Sequence, residues 1–358
     1  MFTRRVLPLA VLVRLVVVIL VFRGAFMVGE GRVTADLAWN LVSGRGYVLS
    51  REMLDPDERS ESYGRLHDRV FSFYREVNGF YGVLVPERPT MFLVPGYPLF
   101  MAGLFILAGG KSYMAVRLAQ LALGLLTVYA GYRVASRFLS GRRLLLAGAV
   151  LAVNPFELYY EAIPATQALF SLLFCVSVLL SLRLLERPGW RTSVAAGLAW
   201  SAAFYMRPVA LPFALLCPVF LLWTGRLSRR ALASAATLIL TVCCLLAPWV
   251  LRNASVSGTP RLMPTQGGVN LWEYHGRIFT DMFESEMEGA TLLYSPVREV
   301  YGDRLNRADL ADFPAFRDEP EWVRDSVLFD RSVRLILANP ILYGHLVLLR
   351  TVDFFKPI

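Results

Sequence analysis

Apolar residues along this chain fall into long runs rather than short alternating ones. Seven stretches, at 6–28, 114–134, 142–160, 165–184, 192–206, 208–224 and 231–251, are apolar over most of their length, with charges gathered toward their ends. A bilayer hydrocarbon core about 30 Å thick takes about 20 such residues as a helix, and fewer when arginines reach outward from the ends. The pattern predicts an all-α integral membrane protein, a multi-span bundle of seven to eight transmembrane helices. The eighth candidate is the terminal segment 340–358, whose apolar run carries Arg350 and Asp353. Arg4 and Arg5 precede the first run, no small-residue cleavage site follows it, and more spans do, so it reads as an anchor and not as a secretory signal.

The run from Pro95 to Gly110 is too short for an ordinary span, and charge placement assigns it. With it left out of the span count, the loops carrying Arg133, Arg137, Arg142 and Arg143, then Arg183, Arg187 and Arg191, then Arg226, Arg229 and Arg230 fall on the same side as Arg4 and Arg5. Counting it as a span would move most of those loops outside, against the positive-inside rule. It therefore reads as an interfacial helix, with the N-terminus cytoplasmic.

That topology absorbs the net charge of +9, which would otherwise point to nucleic acid. The cytoplasmic segments hold twelve arginines against one acid, Glu186, whereas ten of the 28 acidic residues lie at 28–112 and fourteen at 252–339. The opposite, exterior face thus carries two long loops, 28–113 and 252–339, far above the usual connection of about 4 to 6 residues. The first holds an amphipathic helix at Ala35–Val42, a Gly-rich turn at Ser43–Gly46 and the interfacial helix. The second starts after Pro248-Trp249, passes Gly267-Gly268 and ends in a helical segment, Glu321–Ala338. These juxtamembrane helices make the loops candidate functional regions.

Polar chemistry belongs on that exterior face. The short exterior turns add Glu157, Tyr159, Tyr160 and Glu161 after Asn154-Pro155, Arg207 before Pro208, and Arg252 with Asn253 after Trp249. With Glu30, Asp36 and Arg117 they are expected to line one exterior cavity. A carboxylate base beside several arginines suits a reaction in which a hydroxyl loses its proton and a phosphate leaves. Cys175, Cys217, Cys243 and Cys244 sit inside apolar runs with no ligand spacing, and His67 and His275 lie in no metal motif, so neither zinc nor a disulfide framework is expected. Trp249, Trp272 and Trp322 read as membrane-interface anchors.

The order of these pieces resembles the GT-C type glycosyltransferases that use polyprenyl-phosphate sugars, the superfamily of protein O-mannosyltransferases and lipid A aminoarabinose transferase. The matching segments are Ala38-Trp39-Asn40-Leu41 with Ser43-Gly44-Arg45-Gly46-Tyr47, then Pro95-Gly96-Tyr97-Pro98-Leu99-Phe100, then Arg117-Leu118-Ala119-Gln120. Asn154-Pro155 with Tyr159-Tyr160, Arg207-Pro208, Pro248-Trp249 with Arg252-Asn253, and Gly267 to Trp272 continue the series, which covers about residues 5 to 275. The resemblance implies a transmembrane catalytic module at 1–251 in a bacterial cytoplasmic membrane, acting on the exterior face.

In that family an acidic residue just past the first span is the catalytic base. Ungapped spacing puts Glu30 there, with Asp36 as the competitor. The family's usual Asp is Glu30 here, and the tyrosine often found four residues later is Thr34. The implied reaction is an inverting transfer from a polyprenyl-phosphate-linked sugar to a hydroxyl on a glycan, lipid or protein, with Arg117, Arg207 and Arg252 neutralising the phosphate. Tyr97, Tyr160 and Glu157 complete the implied substrate-binding set. Some relatives use a divalent metal and others none; no cofactor is assigned. Family members usually continue with more spans and often a soluble domain, whereas this sequence stops at Ile358. A compact member, a piece of a longer product and a chain completed by a protein partner are the three expectations. The competing classes are a transporter, which should show related halves, and an inactive membrane scaffold.

Overall fold

The computed structural model describes residues 2–21, 29–50, 87–272, 275 and 319–354. All regular elements among them are helices. After a π-helical start at Phe2–Val6 come α1 (Leu7–Val21), α2 (Gly29–Val42), α3 (Gly96–Leu107), α4 (Tyr113–Ala135), α5 (Gly141–Val153), α6 (Pro155–Ala162) and α7 (Gln167–Glu186). These are followed by α8 (Trp190–Met206), α9 (Ala210–Thr224), α10 (Arg229–Ser257), α11 (Gly267–Leu271), α12 (Glu321–Ala338) and α13 (Pro340–Phe354). Three of them, α4, α7 and α10, are long and apolar enough to cross a membrane, and the first part of α1, α3 and α9 are shorter apolar helices.

Contacts divide the described residues into two units, one of residues up to 50 with 87–89 and 94–262, the other of 90–93 and the described residues from 263 on. In the first unit α7, α8, α9 and α10 pack around Trp200, Phe204, Leu184, Leu221 and Leu238, all buried. Apolar burial adds little between helices in lipid, so close backbone approach through small residues carries such packing. Ala196, Ala199 and Ala203 supply it on α8, and at Gly197 a methyl group would stand 2.8 Å from Thr241 Cβ on α10.

Two elements depart from the expected spans for local reasons. The run 142–160 is broken into α5 and α6 at Asn154-Pro155. Pro155 has no N–H to continue the helix, and it fits the first position of the next one. The Asn154 side chain then accepts a hydrogen bond from Phe156 N at 3.0 Å, capping α6. The second departure is the end of α10, which lies beyond 251, the end of the expected span. α10 runs through Pro248 to Ser257 and stops at Gly258, whose φ of +75° suits the glycine C-cap.

α3 is about 18 Å long at 1.5 Å per residue, well short of a hydrocarbon core of about 30 Å. One face of it, Tyr97, Met101, Ala102 and Phe105, packs with Ala35 and Ala38 of α2. Leu99, Ile106 and Leu107 on the other face are exposed. In the second unit α11 packs on α12. Gly268 is required there, because a side chain would collide with the Asp325 backbone.

Candidate functional site

α2 and the loop after it form the framework. Glu30 sits in the first turn of α2, with its side chain outside the described residues. Its neighbour Gly31 lies so close to the chain between α6 and α7 that a Cβ would come within 2.5 Å of the Pro164 carbonyl oxygen. Six residues after Glu30, the buried Asp36 carboxylate accepts hydrogen bonds from Ser50 N and Ser50 Oγ, both at 2.8 Å, and from Asn40 Nδ2 at 3.3 Å. Asn40 also donates to the Val48 carbonyl at 2.7 Å. Gly44 and Gly46, with φ of +73° and +87°, let the loop turn back to make these bonds.

The arginines come from other helices. Ala35, Val116 and Met206 belong to one buried cluster, and each immediately precedes a candidate residue: Asp36, Arg117 and Arg207. Arg117 is buried on α4, and Arg207 is half-buried in extended backbone at the end of α8. Tyr97 lies at the centre of the same cluster, fully buried and stacked on Phe100 at 5.8 Å between centroids. Packing fixes it there. Gly96 beside it has the Tyr205 backbone and the Met206 side chain where its own Cβ would be.

Arg252 is held differently. Its Cζ stands 5.4 Å from the Tyr47 ring centroid and 5.3 Å from that of Trp249, and Nη1 donates to Asn253 Oδ1 at 3.2 Å. Trp249 is therefore not an interface anchor. It is buried, its Nε1 donates to the Leu262 carbonyl at 3.2 Å, and its ring meets that of Tyr47 at 84°. Trp272, in the second unit, is also buried, with the Arg331 guanidinium over its ring at 5.1 Å.

α6 builds a separate polar centre. Glu161 and Arg14, both almost wholly buried, form an ion pair of 2.6 Å between α6 and α1. Arg14 also donates to the carbonyls of Ala10 and Ala152. Glu157 accepts from Ser171 at 2.9 Å. These residues line a cavity of about 240 Å³ together with Asn154, Thr127 and Cys175. Of the polar candidates named from the sequence, Glu157 and Glu161 line that cavity, and Tyr160 packs its ring edge-on to that of Tyr159 at 5.2 Å. Gln120, one turn after Arg117, donates to the carbonyls of Tyr160, Ile163 and Ala165, pinning the break between α6 and α7.

Among the described residues, a carboxylate-lined cavity lies at α6, and the residues just before Asp36, Arg117 and Arg207 belong to one buried cluster; Phe170 is common to both. No local pattern marks Arg14's partner, Gln120's triple role or Tyr47 as a contact of Arg252. An arginine in the middle of an apolar run was the one readable signal for the first of these, since such a charge needs a counter-charge. In the second unit Glu321 accepts from Thr90 Oγ1 at 2.8 Å, Met91 N at 2.5 Å and Thr265 Oγ1 at 3.2 Å, and Asp325 accepts from Gly268 N and Val269 N. Among the described residues no three His, Cys, Asp or Glu side chains are grouped to hold a metal ion.

No curated protein matches the chain. Residues 88–251, a little under half of it and the stretch that holds Tyr97, Arg117, Glu157, Tyr160 and Arg207, match the family model of dolichyl-phosphate-mannose-protein mannosyltransferases.

Proposed function

We propose that the protein is a membrane glycosyltransferase that moves a sugar from a polyprenyl-phosphate donor to an acceptor hydroxyl on the exterior face of a bacterial cytoplasmic membrane. The observation that carries this reading is the family match over 88–251, which runs from α3 into α10 through the helices that bear Arg117 and Arg207. Further support comes from one buried cluster that contains Ala35, Val116 and Met206, the residues just before Asp36, Arg117 and Arg207 in the chain.

In this reading a carboxylate takes the proton of the acceptor hydroxyl, and the freed oxygen attacks the anomeric carbon from the side opposite the phosphate. The configuration inverts, and the lipid phosphate leaves with its charge met by guanidinium groups. Glu30 is the base. Asp36 is the weaker competitor because three donors already occupy its carboxylate. Arg117, Arg207 and Arg252 are the phosphate ligands, with Tyr97, Tyr160 and Glu157 shaping the substrate site.

The test is sugar release or transfer from a panel of polyprenyl-phosphate sugars by the full chain in lipid. Wild type is expected to turn over at least one donor. Glu30→Gln should lose about 10²–10⁴-fold in kcat, the usual contribution of a general base. Asp36→Asn should retain chemistry, with a loss that tracks stability. Full activity in Glu30→Gln with an inactive Asp36→Asn reverses the assignment. No release from any donor by folded protein refutes the glycosyltransferase reading.

A further inference from the structure

Gln120 is wholly buried on α4, and its amide holds a stretch of chain far along the sequence. Nε2 donates to the carbonyl oxygens of Tyr160 at 3.1 Å, Ile163 at 3.0 Å and Ala165 at 3.2 Å. Two N–H groups serve three oxygens, so one of them is shared. The reversed amide would set Oε1 against the same three oxygens, which fixes the donor end toward them. Oε1 itself is buried with no hydrogen-bond partner. The segment so held is extended at Ile163, with φ −114° and ψ 147°. Carbonyls along an extended chain point alternately to opposite sides. Those of Ile163 and Ala165 turn to Gln120, and that of Pro164 turns the other way, toward Gly31 of α2. The Pro164 oxygen is the atom nearest the place of a Gly31 Cβ, at 2.5 Å. Residues 163–165 thus form a shelf, bracketed by α4 on one side and bearing the first turn of α2 on the other.

That first turn carries Glu30. Resting on the assignment of Glu30 as the base, we infer that Gln120 is a positioning residue for the transfer of the acceptor proton: it holds the 163–165 shelf where the Pro164 carbonyl supports Gly31, and so fixes where α2 presents Glu30. The contact at Gly31 is backbone against backbone, with no side chain between to absorb a shift of the shelf. A misplacement of about 1 Å in a reacting group can cost about 10²-fold in rate. Gln120 also lies one turn from Arg117 on α4, which offers a second route to the site, through the phosphate. The two routes differ in their kinetics. Displacing a base lowers kcat and leaves donor binding alone, whereas displacing a phosphate ligand weakens binding. Gln120 touches no reacting atom in this scheme.

Donor kcat and KM, together with binding of a polyprenyl monophosphate, are measured for the full chain in phosphatidylcholine nanodiscs, with rates referred to folded protein. Gln120→Met keeps the length of the side chain and removes its polar atoms, and Gln120→Glu keeps the shape and removes the amide donors. The two are interchangeable should one not fold. Gly31→Ala disturbs the same shelf from the α2 side. Each variant should lower kcat by about 10²-fold and leave donor KM and monophosphate affinity within about twofold of wild type. In the Glu30→Gln background Gln120→Met should lower the residual rate no further, and Gln120→Met with Gly31→Ala should lose no more than the worse single variant. Loss of monophosphate affinity in place of kcat, or a loss that multiplies with that of Glu30→Gln, would overturn the bracket. Wild-type kcat in Gln120→Met beside an inactive Glu30→Gln sinks the bracket alone and leaves the base in place. Full activity in Glu30→Gln removes the base assignment and the bracket with it, and sugar release from no donor by folded wild type refutes the glycosyltransferase reading as a whole.

Discussion

Arg14 and Glu161 are the residues whose burial has the plainest energetic consequence. A buried ion pair gives little net stability over an apolar pair, yet removing one partner strands the other charge, at a cost of about 3–5 kcal/mol. Glu161 is wholly buried, with its carboxyl group against Gly124 of α4. Arg14→Ala should therefore destabilise the protein by that order. Gly124→Ala should do nearly as much, because the added methyl occupies the place of the carboxylate and pushes it off Arg14. The pair Arg14→Met with Glu161→Leu should recover most of the loss. Denaturant unfolding in detergent micelles measures all three, and additive losses for Arg14→Ala and Gly124→Ala would show that the two do not act through one contact. Arg14 was legible as an anomaly, an arginine inside an apolar run, but its partner 147 positions away was not. A contact of that span is fixed by how α1, α4 and α6 pack, and no local pattern encodes it.

Elements were far more legible than contacts. The helical segments expected at 114–134, 165–184, 192–206 and Glu321–Ala338 are found as α4, α7, α8 and α12 within a few residues. The lengths of α4, α7 and α8 follow from apolar runs bounded by arginine or proline, which is local information. What a proline does depends on its neighbours. Pro155 starts a helix because Asn154 caps it, whereas Pro248 lies within α10 because the buried Trp249 and Asn253 hold the following turn to residues 261 and 262. Asn154→Ala should cost about 1 kcal/mol, as the loss of a side-chain cap generally does. The loss should be local, since α6 is only eight residues long and carries Glu157 and Glu161. Hydrogen exchange is expected to rise at 155–162 and to stay unchanged across α10. Faster exchange spread over α7 to α10 would mean instead that the break is a keystone of the whole bundle.

The whole molecule turns on one assignment, whether α3 crosses the membrane. Its length, its packing on α2 and its one exposed apolar face all suit a helix lying at the interface, with Leu99, Ile106 and Leu107 toward lipid. If that is its place, Lys111 is exterior and Ser140, at the start of α5, is cytoplasmic; if α3 spans, both change sides. The arginine-rich loops would then face outward, against the charge asymmetry that orients membrane proteins. In a background freed of Cys175, Cys217, Cys243 and Cys244, a cysteine at Lys111 should react with a membrane-impermeant maleimide in intact spheroplasts. One at Ser140 should react only after permeabilisation. The inverted labelling pattern would make α3 a span, turn Arg133, Arg137, Arg142 and Arg143 outward, and leave α2 on the other side of the membrane from the turns that carry Glu157 and Arg207. An exterior site built from both could not then exist, so this single labelling experiment decides whether the proposed base and the proposed phosphate ligands can meet one donor at all.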